Sequence, residues 1–141
     1  MELSDEKHRQ ITDSFANQSM MATLGARLEK VAHGSVEIHA PILSGARQQH
    51  GFAHAGLTFS IGDSAAGYAA LTVMPDGHEV LTTEMKINLL APAEGDILIA
   101  RGRVIKPGRR LVIVQADVFG IRNGSETHIA LLTGTMLPLA Q

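Results

Sequence analysis

A histidine and an aspartate stand nine residues apart in the most apolar part of the chain, QQHGFAHAGLTFSIGDSAAGYAALTVM (48–74), as His54 and Asp63. Imidazole and carboxylate are the usual side chains for moving protons in enzymes. A carboxylate in an apolar helix is costly unless it has a partner or a task. If a helix starts near His54, nine residues turn it about two and a half times, so the two side chains face opposite ways, roughly 13 Å apart along the axis. One chain cannot join them as a dyad. Either one of them is structural, or the site is built from two chains that each give a different half.

The lead-in QQHGFAHAG has glycine where the backbone must approach something closely. It ends where a helix begins, and there the first N–H groups lack intrahelical partners and the dipole is positive. Such amides hold a developing oxyanion. Across a dimer interface, Asp63 of one chain facing the amides of Ala55 and Gly56 of the other is an arrangement for acyl hydrolysis. His50 and His54 stand four apart, but Gly51 and the break before the helix argue against a metal pair, and no metal is expected.

These residues need elements to hold them. SDEKHRQITDSFANQ reads as a short helix capped by Ser4, with Asp5 and Glu6 in its first turn and Ile11 and Phe15 on one stripe. GARLEKVAHG and SVEIHAPIL read as strands joined at His33–Gly34, and Val36, Ile38, Ala40 and Ile42 alternate with polar neighbours. The central helix is apolar and small-residued nearly all round, as a buried helix is. Four strands follow, HEVLTTEMKINLL, ILIARGRVI, LVIVQADVFGI and THIALLTGTMLPL, with turn signals between them that include Asn123–Gly124. Short connections make the sheet antiparallel, and the simplest order is a four-strand meander. The expected class is α+β: one domain over 1–141, a curved antiparallel sheet wrapped around one long central helix. LVIVQADVF is apolar on both faces over its first half, so a partner subunit is expected on the outer face.

Composition narrows the function. The chain has 141 residues, net charge −2, 45% hydrophobic residues and no cysteine. This is a globular chain without disulfides, thiol catalysis or cysteine metal sites, consistent with a reducing, cytoplasmic compartment. No basic stripe marks a nucleic-acid or membrane-surface binder. The start MELSDEKHRQ is unlike a signal peptide.

The order Q-x5-H-x-G-x6-D-x3-G, then T-x-E-x-K-I-N-x-L-x-P-A, then GR, resembles the PaaI-like acyl-CoA thioesterases of the hotdog fold, from about Phe15 to the last strand. The resemblance implies hydrolysis of an acyl-CoA, a small aromatic or a short or medium-chain one, by a dimer or dimer of dimers. No cofactor is implied, coenzyme A being part of the substrate. Asp63 matches the family's catalytic carboxylate, general base or nucleophile. Gln48 matches an Asn/Gln position that hydrogen-bonds near the thioester carbonyl or the water. His54 matches the His of a His-Gly-Gly, and Ala55 takes the place of its first glycine, whose N–H polarises the carbonyl. Thr82 matches a Ser/Thr that assists the carboxylate, although alternation places it on the polar strand face with Glu84 and Lys86. In the family the carboxylate and hydroxyl come from one subunit and the helix N-terminus from its neighbour.

Lys106, Arg109 and Arg110 form a basic hairpin tip, a candidate landing place for the phosphates of coenzyme A. Two rival readings are a hotdog hydratase or dehydratase, which the His54–Asp63 spacing argues against, and a hotdog protein that holds acyl-CoA without turnover. Phe52, Phe59 and Tyr68 near the motif suit an aryl or a medium-chain pocket equally.

Overall fold

The computed structural model describes residues 1–141. Helix α1 (Asp5–Ala16) begins at Ser4, whose hydroxyl accepts the Lys7 N–H, and a second short helix, α2 (Ser19–Leu24), follows at once. Strands β1 (Arg27–Ala32) and β2 (Ser35–Pro41) form a hairpin, and α3 (Ala55–Leu71) comes next. Strands β3 (His78–Leu89), β4 (Ile97–Pro107), β5 (Val112–Arg122) and β6 (Ser125–Ala140) complete the chain. The elements match those expected from periodicity, with α2 added.

All six strands belong to one antiparallel sheet in the order β1-β2-β4-β5-β6-β3. The expected meander holds only for β4, β5 and β6. Strand β3 pairs instead with β6 and forms the far edge. The connection over residues 90–96 makes this possible, since seven extended residues reach about 23 Å and three strand spacings need about 14 Å. As it crosses, Leu90 N–H donates to Ile129 of β6 at 2.8 Å and Asp96 N–H to Ile121 of β5 at 2.7 Å.

Helix α3 lies in the hollow of the sheet as the core of the α+β fold. Ile61, Ala65, Ala66, Ala69 and Leu71 are wholly buried, against Ile38, Leu98, Ala100, Val114, Ala116 and Leu132 of the inner sheet face. The small residues permit a very close approach: a Cβ added at Gly102 of β4 would fall 2.3 Å from the Ala65 carbonyl. Helix α1 closes one side through Ile11, and Lys7 Nζ donates to the Met74 carbonyl at 3.1 Å beyond the end of α3.

The outer face is apolar at the start of β5, where Ile113 points outward and Leu111 is exposed, as the alternation gives. Its middle is a charge network rather than an apolar strip. Arg101 makes a two-pronged pair with Glu126 and reaches Glu37 at 3.3 Å, Arg103 pairs with Asp117, and the Arg101 guanidinium stacks on Phe119 at 4.9 Å. The outward residues of β5 after Ile113 are Gln115, Asp117, Phe119 and Ile121, so the strand's middle is polar on this face and its far end apolar again.

Candidate active site

The N-terminal end of α3 is built by a loop that spends most of its polar atoms on itself. His54 is the N-cap with extended backbone, and its Nδ1 accepts the Gly56 N–H at 2.8 Å. A ring that accepts at Nδ1 carries its proton on Nε2, so His54 is a neutral donor at its far nitrogen. Gly56, expected beside Ala55 as a substrate-binding amide, is thus engaged by the imidazole. The Leu57 and Thr58 amides turn back to the His54 carbonyl, and the Ala55 N–H alone at this end has no partner in the chain. Gln48 Oε1 accepts from the His50 and Phe52 amides at 2.6 and 3.2 Å, which fixes the side chain and leaves its NH2 to donate elsewhere. Ala53 N–H donates to Ala93 at 2.8 Å, tying this loop to the β3–β4 connection. Between them lies a cavity of about 510 Å³ lined by Gln48, Phe52, His54, Ala55, Thr58, the 89–93 segment and Ile129.

Asp63 faces the other way, as the spacing requires. It is half-buried, and Thr82 Oγ1 donates to its Oδ1 at 2.8 Å. Thr82 does not share a face with Glu84 and Lys86 as alternation alone places it. A β-bulge between Thr82 and Glu84 shifts the register on β6, so Val80 and Thr82, and beyond the bulge Met85 and Ile87, turn to the helix. Burial raises the Asp63 pKa above the ordinary aspartate value, and the Thr82 hydrogen bond offsets part of the rise. This carboxylate lines a second cavity of about 370 Å³, with Ser14, Gln18, Ser64, Gly67, Tyr68 and residues 79–82. Sequence pattern gives no hint of Ser14 or Gln18 here, because both arrive from α1 and its end, about fifty residues away.

One half-site lies at the N-terminus of α3 and the other beside its middle and C-terminal half, and both border the edge strand. Thr82, Met136, Val112 and Pro107 form one row across the sheet, and Leu89, Ala130, Val118 and Ala100 another. Of the basic tip, Arg109 and Arg110 lie beyond the first row and Lys106 one position before it, on the Thr82 side of the sheet, with no carboxylate within ion-pair distance, and two strands in from β3. Within one chain it is remote from Gln48 and Ala55. No cluster of three or more His, Cys, Asp or Glu side chains is placed to hold a metal, and no helix is long and apolar enough to cross a membrane.

Comparison with known proteins places this geometry in context. The model of the thioesterase superfamily matches residues 50–124, which include Asp63, Thr82 and the start of α3. A solved structure of a thioesterase family protein from Silicibacter pomeroyi is 44% identical, with a TM-score of 0.93 over 96% of this chain and 99% of that one. The PaaI protein of the Escherichia coli phenylacetic acid degradation operon superposes with a TM-score of 0.85 at 20% identity, covering 98% of this chain and 96% of that one. A thioesterase from Haemophilus influenzae gives 0.81 at 19% identity, covering 92% and 88%. The last two speak for the fold alone.

Proposed function

The chain belongs to the thioesterase superfamily, and from that premise we propose that it hydrolyses an acyl-CoA to the free acid and coenzyme A at a site completed by two copies. The observation that carries this reading is the pair of half-sites. Asp63 with Thr82 and Ala55 with Gln48 are each prepared for half of an acyl transfer, and one chain cannot bring them together.

Strand β3 supplies a way to unite them. It is an edge strand of twelve residues with one row of backbone groups unpaired. Two identical edges related by a two-fold axis pair antiparallel. An axis normal to the sheet through Lys86, with the bulge at Thr83 counted as one extra residue, sets Thr82 opposite Leu89 of the second copy, keeps both helices on one face, and carries Asp63 toward the other chain's Leu89–Ala93 cavity wall. Dimer and dimer of dimers both contain this pairing.

In this site the thioester carbonyl oxygen accepts from the Ala55 N–H of one copy, where the helix dipole favours the developing negative charge. Gln48 NH2 donates to the same carbonyl or to the attacking water, and His54 holds the turn through the Gly56 amide. Asp63 of the other copy takes a proton from water as the water oxygen bonds to the carbonyl carbon. The tetrahedral adduct collapses with cleavage of the carbon–sulfur bond, and the proton on Asp63 passes to the departing thiolate. Attack by Asp63 itself, through a mixed anhydride then hydrolysed, uses the same contacts. No metal or redox group enters either route. The basic tip at Lys106, Arg109 and Arg110 remains the proposed contact for the nucleotide phosphates, donated by the copy that gives Asp63.

The experiment is free-thiol release from aromatic and straight-chain acyl-CoAs by wild type and Asp63→Asn. Turnover by wild type with a hundredfold or greater fall in the variant, about 3 kcal/mol on the barrier, supports the reading. A folded wild type that cleaves no acyl-CoA overturns it.

A further inference from the structure

The cavity beside Asp63 ends in a polar floor that the hydrolytic steps do not use. Tyr68, five residues beyond Asp63 on α3, is 4% exposed. Its hydroxyl lies 3.0 Å from Ser14 Oγ and accepts from Gln18 Nε2 at 2.7 Å, and all three side chains line the cavity.

A count of hydrogens shows what the floor asks for. Ser14 and Tyr68 bring two hydroxyl hydrogens, and their mutual contact uses one. Gln18 brings two amide hydrogens, and its bond to Tyr68 uses one. One O–H and one N–H remain to donate. Covering a donor with an apolar group that leaves it unsatisfied costs about 1–3 kcal/mol, so an apolar chain end is a poor fit there. Charge narrows the choice further. The ionisable side chains lining the cavity are Asp63, Glu79 and the phenol of Tyr68, with no cation among them. A carboxylate tail would meet two acidic groups with no partner of its own. Position indicates which part of the substrate lies here: Ser14 of α1 and Gln18 in the turn after it wall this side, so it receives a terminus and not the long coenzyme arm. Along α3, Tyr68 is about 7.5 Å beyond Asp63, the reach of a medium-length chain or one ring.

We propose that Ser14, Gln18 and Tyr68 are specificity residues that hold the distal end of the acyl group and select acyl-CoAs whose tail carries an uncharged hydrogen-bond acceptor, over unsubstituted and carboxylate-ended ones. The inference rests on the thioesterase reading with Asp63 at the reacting carbon.

The test measures kcat/KM for matched acyl-CoA pairs that differ only by a distal hydroxyl, one straight-chain and one aryl pair, together with a carboxylate-ended acyl-CoA. Wild type is expected to favour the hydroxylated member by tenfold or more in at least one pair, and which pair responds identifies the carrier. Tyr68→Phe keeps the ring against Phe15, whose centroid is 6.3 Å away, and removes only the hydroxyl. In it the ratio within the pair should collapse toward one. Ser14→Ala, at a half-buried position of α1, gives the same reading if Tyr68→Phe does not fold. A trio that merely ties α1 to α3 would scale both members of a pair equally, leaving the ratio intact, and that result overturns the proposal. So does turnover by wild type with no preference, or with the carboxylate-ended substrate best. Those outcomes leave the thioesterase reading standing, whereas absence of any cleavage sinks both.

Discussion

Thr82 and Asp63 are joined by a 2.8 Å hydrogen bond that runs from the edge strand to the central helix, while Met136 Sδ stands 3.3 Å from the same hydroxyl. The hydroxyl thus donates inward to Oδ1, and Oδ2 is free of any partner in the chain. Burial pushes the carboxyl's pKa up and this bond holds it down. Removing the bond therefore has a definite sign. Thr82→Val should move the acidic limb of the kcat/KM profile to higher pH, because the carboxylate must be ionised to act as base, and should lower the plateau by about tenfold, the effect of one lost charge-assisted hydrogen bond of about 1.4 kcal/mol. A pH–rate profile of the variant checks both; an acidic limb that stays put would detach Thr82 from Asp63 function.

Asp63→Asn should remove activity and yet not weaken the fold. A carboxyl whose folded pKa lies above its unfolded value binds its proton more tightly in the native state, so stability is greatest below the unfolded value and falls as pH rises through the folded one. At neutral pH the ionised Asp63 is on the costly side of that window. Thermal unfolding across pH should show wild type losing stability in the acidic range as pH rises, and the asparagine variant lacking that component.

Two inactive chains should repair each other. Asp63→Asn spoils one half-site and Gln48→Ala the other, so a hybrid dimer holds one intact site of two. Random exchange makes about half of the dimers hybrid, and activity should recover to about a quarter of wild type. Mixing the purified variants under subunit-exchange conditions and assaying thiol release checks this. No recovery despite exchange would return the site to a single chain.

Thr58 carries a wholly buried hydroxyl with no hydrogen-bond partner, in the wall of the Ala55 cavity. Valine has nearly the same shape without the unsatisfied group. Thr58→Val should raise stability by about 1 kcal/mol, read as a higher urea midpoint at unchanged slope. A fall in the midpoint would mean that the hydroxyl has a partner in solution.

Legibility of the sequence followed the range of each interaction. The β2 alternation at Val36, Ile38 and Ala40 and the apolar run of α3 are local signals, and both elements stand where periodicity puts them. The partner of β3 was not legible, since turn chemistry around 90–96 says that a strand ends, not which edge the next one joins. Thr82 was assigned to the wrong face because the bulge that turns it inward carries no glycine or proline to announce it; the residue there is Thr83. The His54–Gly56 bond had a signal in hindsight, an acceptor side chain at the cap position two residues before the amide it serves. The Tyr68 floor had none, because Ser14 and Gln18 reach it through tertiary packing alone.

The unpaired edge of β3 also bears on how the protein must be made. A freshly synthesised chain that has folded but not yet met another exposes a strand of twelve residues that holds Leu81 and Leu89 and is followed by Leu90, each about half accessible or more. Glu84 and Lys86 are the only charges along its central part to repel a wrong neighbour. Solitary chains are thus the vulnerable species during synthesis, open to off-register stacking and to proteolysis, and yield in a host cell should improve with slow induction that gives each chain time to find a correct mate.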